Sequence, residues 1–252
     1  RGLGDVYKRQ MIREGYANNI LHNPRFVMYK LLGKTINGIT ITKKSEKKIS
    51  GAINVLKYKG IIANYMTIDI KRDVVEYGFY RDRQHAIDYI QHHFYLDRWK
   101  YQPRQIILMC EASGYLGVIR NIAQQFRAPY TAASGDMSVQ IKMELAEKCE
   151  RPTTILYYGD NDSKGRSIPQ TIEADIRAIN PQADLTFHRM FLNEEDIEKY
   201  GLPKDAQMEQ LPEQIAISES IAYIKTLIDL KTWDETVEKE QTIRASLGAL
   251  WE

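Results

Sequence analysis

Apolar runs alternating with stretches of helical period in the second half of the chain constrain its fold more than any other feature. Runs at Ile106–Cys110, Thr153–Tyr158 and Leu185–Phe191, with a shorter one at Tyr130–Ala132, carry the β-branched and aromatic residues of strands. Between them lie segments of helical character at about 115–127, 138–149 and 167–179. Strands separated by helices of this length imply a parallel sheet with crossover helices, an α/β arrangement. Residues 213–231 and 234–249 predict terminal helices.

The front of the chain is built differently. Asn23-Pro24 pairs a capping residue with proline at the first helical position, and Gly33 closes the segment. Phe26, Tyr29, Leu32 and Val27, Leu31 recur at helical spacing between those marks. Ser45 is set to cap a second helix with Ile49, Ala52, Ile53 and Leu56 on one face, ending at Gly60. Ile61 to Ile68 predicts a strand or short hairpin, and 84–100 a helix ending near Pro103. Two short helices followed by strands, among many basic residues, fit a winged helix-turn-helix, a pattern that many small domains share. The domain boundary is therefore placed at 103, with an N-terminal unit over 11–103 and an α/β unit with C-terminal helices over 104–252. Arg1 to Gln10 resembles a translated sequencing-adaptor fragment, which makes Met11 the expected start.

The net charge of +2 hides a division between these units. Residues 1–104 hold 20 Lys and Arg against 9 Asp and Glu, and residues 105–252 hold 15 against 24. A basic module that meets polyanions joined to an acidic module that binds cations would give this split, as would an unevenly charged solvated surface. No apolar run approaches the roughly 18 residues of a membrane span, and the N-terminus lacks a signal-peptide core. Two cysteines form no disulfide framework, so a reducing cytoplasmic location is the expectation.

Carboxylates fall where two of the strands end. Ile106–Cys110 runs into Glu111, and Ile155–Tyr158 runs into Gly159-Asp160-Asn161-Asp162. Ligands of open parallel sheets gather outside the carboxyl ends of the strands. Three acids brought together there would repel and raise one another's pKa, and a hard cation with oxygen ligands relieves that repulsion. Any one of these acids alone could simply cap the following helix.

An apolar strand into Glu111, then another into Gly159-Asp160-Asn161-Asp162 with Gly165 beyond, resembles the Toprim domain of topoisomerases, primases and related nucleases. Trp99–Tyr158, Ser134-Gly135-Asp136-Met137-Ser138, Arg189-Met190-Phe191-Leu192 and Tyr200-Gly201-Leu202-Pro203 extend the likeness to a prokaryotic and phage family. Its Toprim domain is related to that of the topoisomerase VI A subunit. The resemblance covers roughly 20–230, most strongly in the second half. It departs where Ser163-Lys164-Gly165 replaces the common Pro-Ser-Gly, where Ala112 replaces a basic residue, and after Pro203, where the chain is shorter.

The resemblance implies a winged-helix domain followed by a Toprim domain with a Rossmann-like sheet, and Mg²⁺ on Glu111, Asp160 and Asp162. It also implies cleavage of double-stranded DNA by a tyrosine lying four residues after an arginine, a spacing met by Arg25 and Tyr29. At i and i+4 the guanidinium and phenol share a helix face, where a fixed positive charge favours phenolate and can grip phosphate. With 16 tyrosines in the chain, Tyr29 is equally readable as an ordinary core or surface residue. Glu111 could also serve as general acid or base. Lys43, Lys44, Lys47 and Lys48 are candidate DNA-backbone contacts, and Arg72 and Arg189 candidate phosphate ligands. Asp69 and Arg72 match a family feature between the domains and also suit a plain ion pair. A homodimer, a separate ATPase subunit for any strand passage, and a nucleoid-associated location complete what the resemblance implies. A Toprim nuclease using water, with Tyr29 idle, and a non-catalytic DNA-binding module remain as alternatives.

Overall fold

The computed structural model describes residues 3–18, 20, 22–36, 38–63, 66–67, 78–133 and 137–249. Arg72 and Asp69 lie outside them, as do Ser134, Gly135 and Asp136. The described residues form an α/β structure with ten α-helices and a four-stranded parallel sheet.

The sheet contains β3 (Gln105–Cys110), β4 (Tyr130–Ala132), β5 (Thr153–Tyr158) and β6 (Leu185–Phe191), in the order β4-β3-β5-β6. Every residue of β3 and β5 is buried, because helices cover both faces of the central pair. The pleat sends alternate residues to opposite sides. Ile106, Leu108 and Cys110 join Leu156 and Tyr158 on one face, under α5 (Leu116–Phe126) and α9 (Glu213–Leu227). On the other face Ile107, Met109, Ile155 and Tyr157 pack against α6 (Val139–Lys148) and α7 (Ser163–Ile179).

The connections give this order its functional consequence. From β3 the chain turns through α5 on one face to β4, whereas from β5 it turns through α7 on the opposite face to β6. The loops leaving β3 and β5 diverge, and a crevice opens between the carboxyl ends of two paired strands. Glu111 and Asp160 stand at that crevice. Gln105 pairs with Thr153 and Cys110 with Tyr158 in unbroken register, so the two strands end at the same level.

The N-terminal part holds α1 (Leu3–Ala17), α2 (Pro24–Lys30), an antiparallel hairpin of β1 (Thr35–Ile36) and β2 (Ile39–Thr40), and α3 (Glu46–Tyr58). Asn23 caps α2, its side-chain oxygen accepting from the Phe26 N–H at 2.8 Å, a device that contributes about 1 kcal/mol. Val27, Met28, Tyr29 and Leu31 pack with Ile49, Ile53 and Leu56 of α3 in one core. Phe26, on the same helix, belongs to the core beneath the sheet. Helix α2 therefore joins both cores.

Three expectations are corrected. Residues 61–63 form a bend and no strand; beyond them Thr67 makes an isolated parallel bridge to His22. Among the described residues the hairpin lies between α2 and α3, ahead of the second helix. The helix expected over 84–100 is α4 (Arg83–His93) and stops early. Past His93 the chain turns extended at Phe94, and buried Glu240 of α10 (Leu230–Ala249) captures it, accepting from the Leu96 N–H at 3.1 Å and from Arg98 at 2.9 Å. A tertiary carboxylate replaces the helix hydrogen bonds there. Lastly, α8 (Glu194–Tyr200) is a short helix for which the periodicity gave no expectation.

Candidate functional site

Strand β3 ends by donating the Glu111 N–H to the Tyr158 carbonyl at 2.8 Å, which fixes the first acid against the end of β5. The Glu111 Oε2 accepts from the Asp160 N–H at 2.9 Å. The two acids, 49 residues apart in sequence, thus meet through one hydrogen bond. Asp160 Oδ1 accepts from the Met208 N–H at 2.9 Å, and Asp162 caps α7, its Oδ1 accepting from the Gly165 N–H at 2.7 Å. Each hydrogen bond uses one carboxylate oxygen.

Two glycines are needed by close approach. A Cβ on Gly159 would collide with the Tyr157 ring. One on Gly165 would strike the Asp160 carbonyl and lie 2.7 Å from Glu111 Oε2. Only a bare backbone lets α7 begin this close to the β3 acid.

Burial is the largest influence on both inner acids. It raises the Glu111 pKa, aided by the charges of Asp160 and Asp162, while the hydrogen bond from Asp160 N–H and the Lys164 charge pull it down. Asp160 is likewise raised, first by burial and then by Asp162, against the Met208 N–H and the charges of Lys43 and Arg25. Among the described residues, no group of three or more His, Cys, Asp or Glu side chains forms a ready-made metal site. The donor set is nonetheless all oxygen, and Mg²⁺ binds through one or two carboxylates with water and phosphate filling the rest. Oxygen donors are of the kind that ion takes.

Arg189 has a different surrounding from the one a phosphate ligand implies. Its guanidinium donates to four backbone carbonyls: Leu192 at 2.9 Å, Gly165 at 2.8 Å, Gly159 at 3.0 Å and Asp160 at 2.7 Å. It ties the loop after β5, the start of α7 and the end of β6 into one unit. Sequence alone could not distinguish this clamp from a surface cation.

Tyr29 is only 7% exposed and packs within the N-terminal core. Arg25 is exposed, its guanidinium carbon 5.8 Å from the Tyr29 ring centroid. Burial opposes its charge, but the Tyr29 hydroxyl and the Glu46 and Glu209 carboxylates outweigh that and raise its pKa. Lys43, Lys44, Lys47 and Lys48 are all exposed, on the 3-10 turn before α3 and on its first turn.

One acid escaped sequence reasoning. Glu209 sits in a 3-10 turn (Met208–Gln210), is 1% exposed, and its Oε1 has no hydrogen-bond partner among the described residues. Burial, then the charge of Asp160, push its pKa up to about 7, against the pull of Arg25 and Lys30. The residue next to it donates the N–H that holds Asp160. Apolar Met208 precedes it, polar Gln210 follows, and no strand end marks it, so no local signal separates it from a surface glutamate.

Comparison with protein-family models, with curated proteins and with solved structures finds no match. Among the described residues no helix is long and apolar enough to cross a membrane.

Proposed function

We propose that this chain cleaves DNA strands in the manner of the topoisomerase VI A subunit, with a Toprim domain following a winged-helix domain. The observation that carries this is the hydrogen-bonded meeting of Glu111 with the Asp160 backbone at a switch point between two parallel strands. Half-buried acids that raise one another's pKa repel, and a bound cation relieves that repulsion.

In this mechanism the Tyr29 hydroxyl attacks a phosphodiester, the bond from phosphorus to the 3′-oxygen breaks, and a 5′-phosphotyrosyl link forms. The phenol proton leaves and the departing 3′-oxygen gains one, so the exchange is balanced. Glu111 could carry that proton as general acid or base. Mg²⁺ held by Glu111, Asp160 and Asp162 supplies, when bound, stabilisation of charge on the phosphate and the leaving oxygen. Arg25 grips the phosphate beside Tyr29, and the lysines at 43, 44, 47 and 48 hold the flanking backbone. Double-stranded DNA is the substrate, a homodimer would cut both strands, and a separate ATPase subunit would drive any strand passage.

The low exposure of Tyr29 favours a second reading, metal-dependent hydrolysis by water. Incubation with supercoiled DNA and Mg²⁺, followed by denaturing electrophoresis, separates the two. Protein joined covalently to DNA in wild type and absent in Tyr29→Phe supports the transesterase. Free 5′-phosphate ends made equally by both proteins would establish the nuclease. Binding without any cleavage, unchanged by Asp160→Ala, would leave a non-catalytic DNA-binding module.

A further inference from the structure

Three contacts fix Arg166 at the acidic rim. Its N–H donates to the Asp162 carbonyl at 3.1 Å. The residue before it, Gly165, lies so near Glu111 that a Cβ there would stand 2.7 Å from Oε2. Its guanidinium Nη1 donates to Asn161 Oδ1 at 3.0 Å, and Asn161 stands between Asp160 and Asp162. Backbone and side chain of Arg166 are thus each joined to the segment that carries both aspartates.

Asn161 is itself held from elsewhere. It is only 8% exposed; its N–H donates to the Ala206 carbonyl at 2.9 Å and its Nδ2 to the Lys204 carbonyl at 3.0 Å. A carbonyl only accepts and a guanidinium only donates, so these partners decide which end of the amide faces Arg166. The same stretch holds Asp160 through the Met208 N–H. The bond to Asn161 uses one of the five N–H donors of a guanidinium, and the Arg166 side chain stays 51% exposed. It also lies 3.9 Å from Glu194, whose side chain is 88% exposed, and a surface pair of that kind contributes little in water.

We infer that Arg166 grips the phosphate cleaved at the metal site, and that Asn161 is the positioning residue that aims it. A planar fork matches two phosphate oxygens, which a lone ammonium does not. The inference rests on the proposed metal-dependent cleavage of DNA and deepens it by naming the cation that the rim itself supplies. It holds for attack by Tyr29 or by water. Because Arg166 belongs to the chain that bears the acids, it holds equally when the partner subunit supplies the tyrosine.

The test compares Arg166→Gln, Arg166→Lys and Glu194→Gln with wild type, all as the full chain. In Arg166→Gln the kcat for nicking supercoiled DNA in Mg²⁺ should fall by about tenfold or more, the scale of losing one donor to a developing oxyanion. The slope of log K against log salt for a DNA duplex should fall by about 1, one phosphate contact fewer. Mn²⁺ uptake without DNA, followed by calorimetry, should be no weaker than in wild type. Arg166→Lys keeps the charge and loses the fork, so its salt slope should hold while its kcat falls. Glu194→Gln should match wild type throughout. Asn161→Ala should lower kcat as well, and lower it little further when Arg166→Gln is already present.

Loss of Mn²⁺ uptake in parallel with kcat would overturn the inference, since Arg166 would then only brace the acid loop. A raised KM with kcat intact would also overturn it, by moving the contact to a flanking phosphate. If Arg166→Gln does not fold, Arg166→Lys decides, and a wild-type kcat there refutes the grip. In each of these cases the wild type still cuts DNA and the proposed cleavage stands. A wild type that neither takes up Mn²⁺ nor cuts DNA would instead remove that cleavage, and the inference with it.

Discussion

Replacing Glu209 by glutamine should stabilise the protein, and by an amount that depends on pH. The Glu209 carboxyl titrates at about 7 in the fold against an ordinary 4.5. Its folded pKa is raised, so the fold binds this proton more tightly than the unfolded chain does. The stability linked to it is fully present below pH 4.5 and is lost as the pH rises toward 7. At about 1.4 kcal/mol per pKa unit, ionisation costs the fold about 3 kcal/mol above neutrality. Glutamine keeps the shape and cannot ionise, so the difference between variant and wild type should grow from near zero at pH 4.5 to about 3 kcal/mol at pH 8.5. In a chain of this size that corresponds to roughly 6–12 °C in melting temperature. Urea melts of both proteins in EDTA across this range are the assay. A stability difference that stays flat with pH would show that Glu209 ionises as an exposed glutamate does, and the placement of its carboxyl beside Asp160 would be wrong.

The other expectations concern single contacts. Gly165→Ala drives a methyl group against the Asp160 carbonyl and Glu111, so it should lower stability by about 1–3 kcal/mol and weaken Mn²⁺ binding severalfold; an unchanged metal titration would refute the close approach. Arg189→Lys loses most of the donors that hold four carbonyls and should destabilise by about 3 kcal/mol in a denaturant melt, with little change in the salt slope of DNA binding. If Arg189 instead contacts phosphate, that slope should fall by about 1 and stability should hold. Replacing Lys43, Lys44, Lys47 and Lys48 together by alanine should lower the slope of log K against log salt by about 3–4 in fluorescence anisotropy, and an unchanged slope would remove the lysine turn from the DNA interface.

What the sequence made legible is what local chemistry decides. The runs over β3, β5 and β6 fall within a residue of their strands, and Asn23-Pro24 starts a helix as its capping chemistry requires. The position of Glu111 and Asp160 at one crevice was legible too, because parallel strands separated by helices leave their ends on the same side. Where a distant group takes over the backbone, local signals fail. The helix expected to reach residue 100 stops at His93, and the carboxylate that holds the chain after it lies 144 residues beyond Leu96. Helix α8 did carry signals, an Asn193–Asp196 capping box and Gly201 at φ 61°, but its 7 residues are too few to show a period. Arg189 reads as a surface cation until the carbonyls it binds are known.

Glu209 carries this further, because it bears on what the legible acids can do. Strand ends fix where Glu111 and Asp160 stand, yet their charge is set by what faces them. The segment that supplies the Met208 N–H to Asp160 also brings a mostly protonated carboxyl within reach of the same acid below neutral pH. At pH 6 that neighbour is neutral and adds no repulsion; at pH 8 it is ionised and adds a negative charge to a rim that already holds three. A cation entering the rim should therefore bind more tightly at pH 8 than at pH 6 in wild type, and by a larger margin than in Glu209→Gln. Parallel pH dependences in the two proteins would mean that the rim does not sense Glu209.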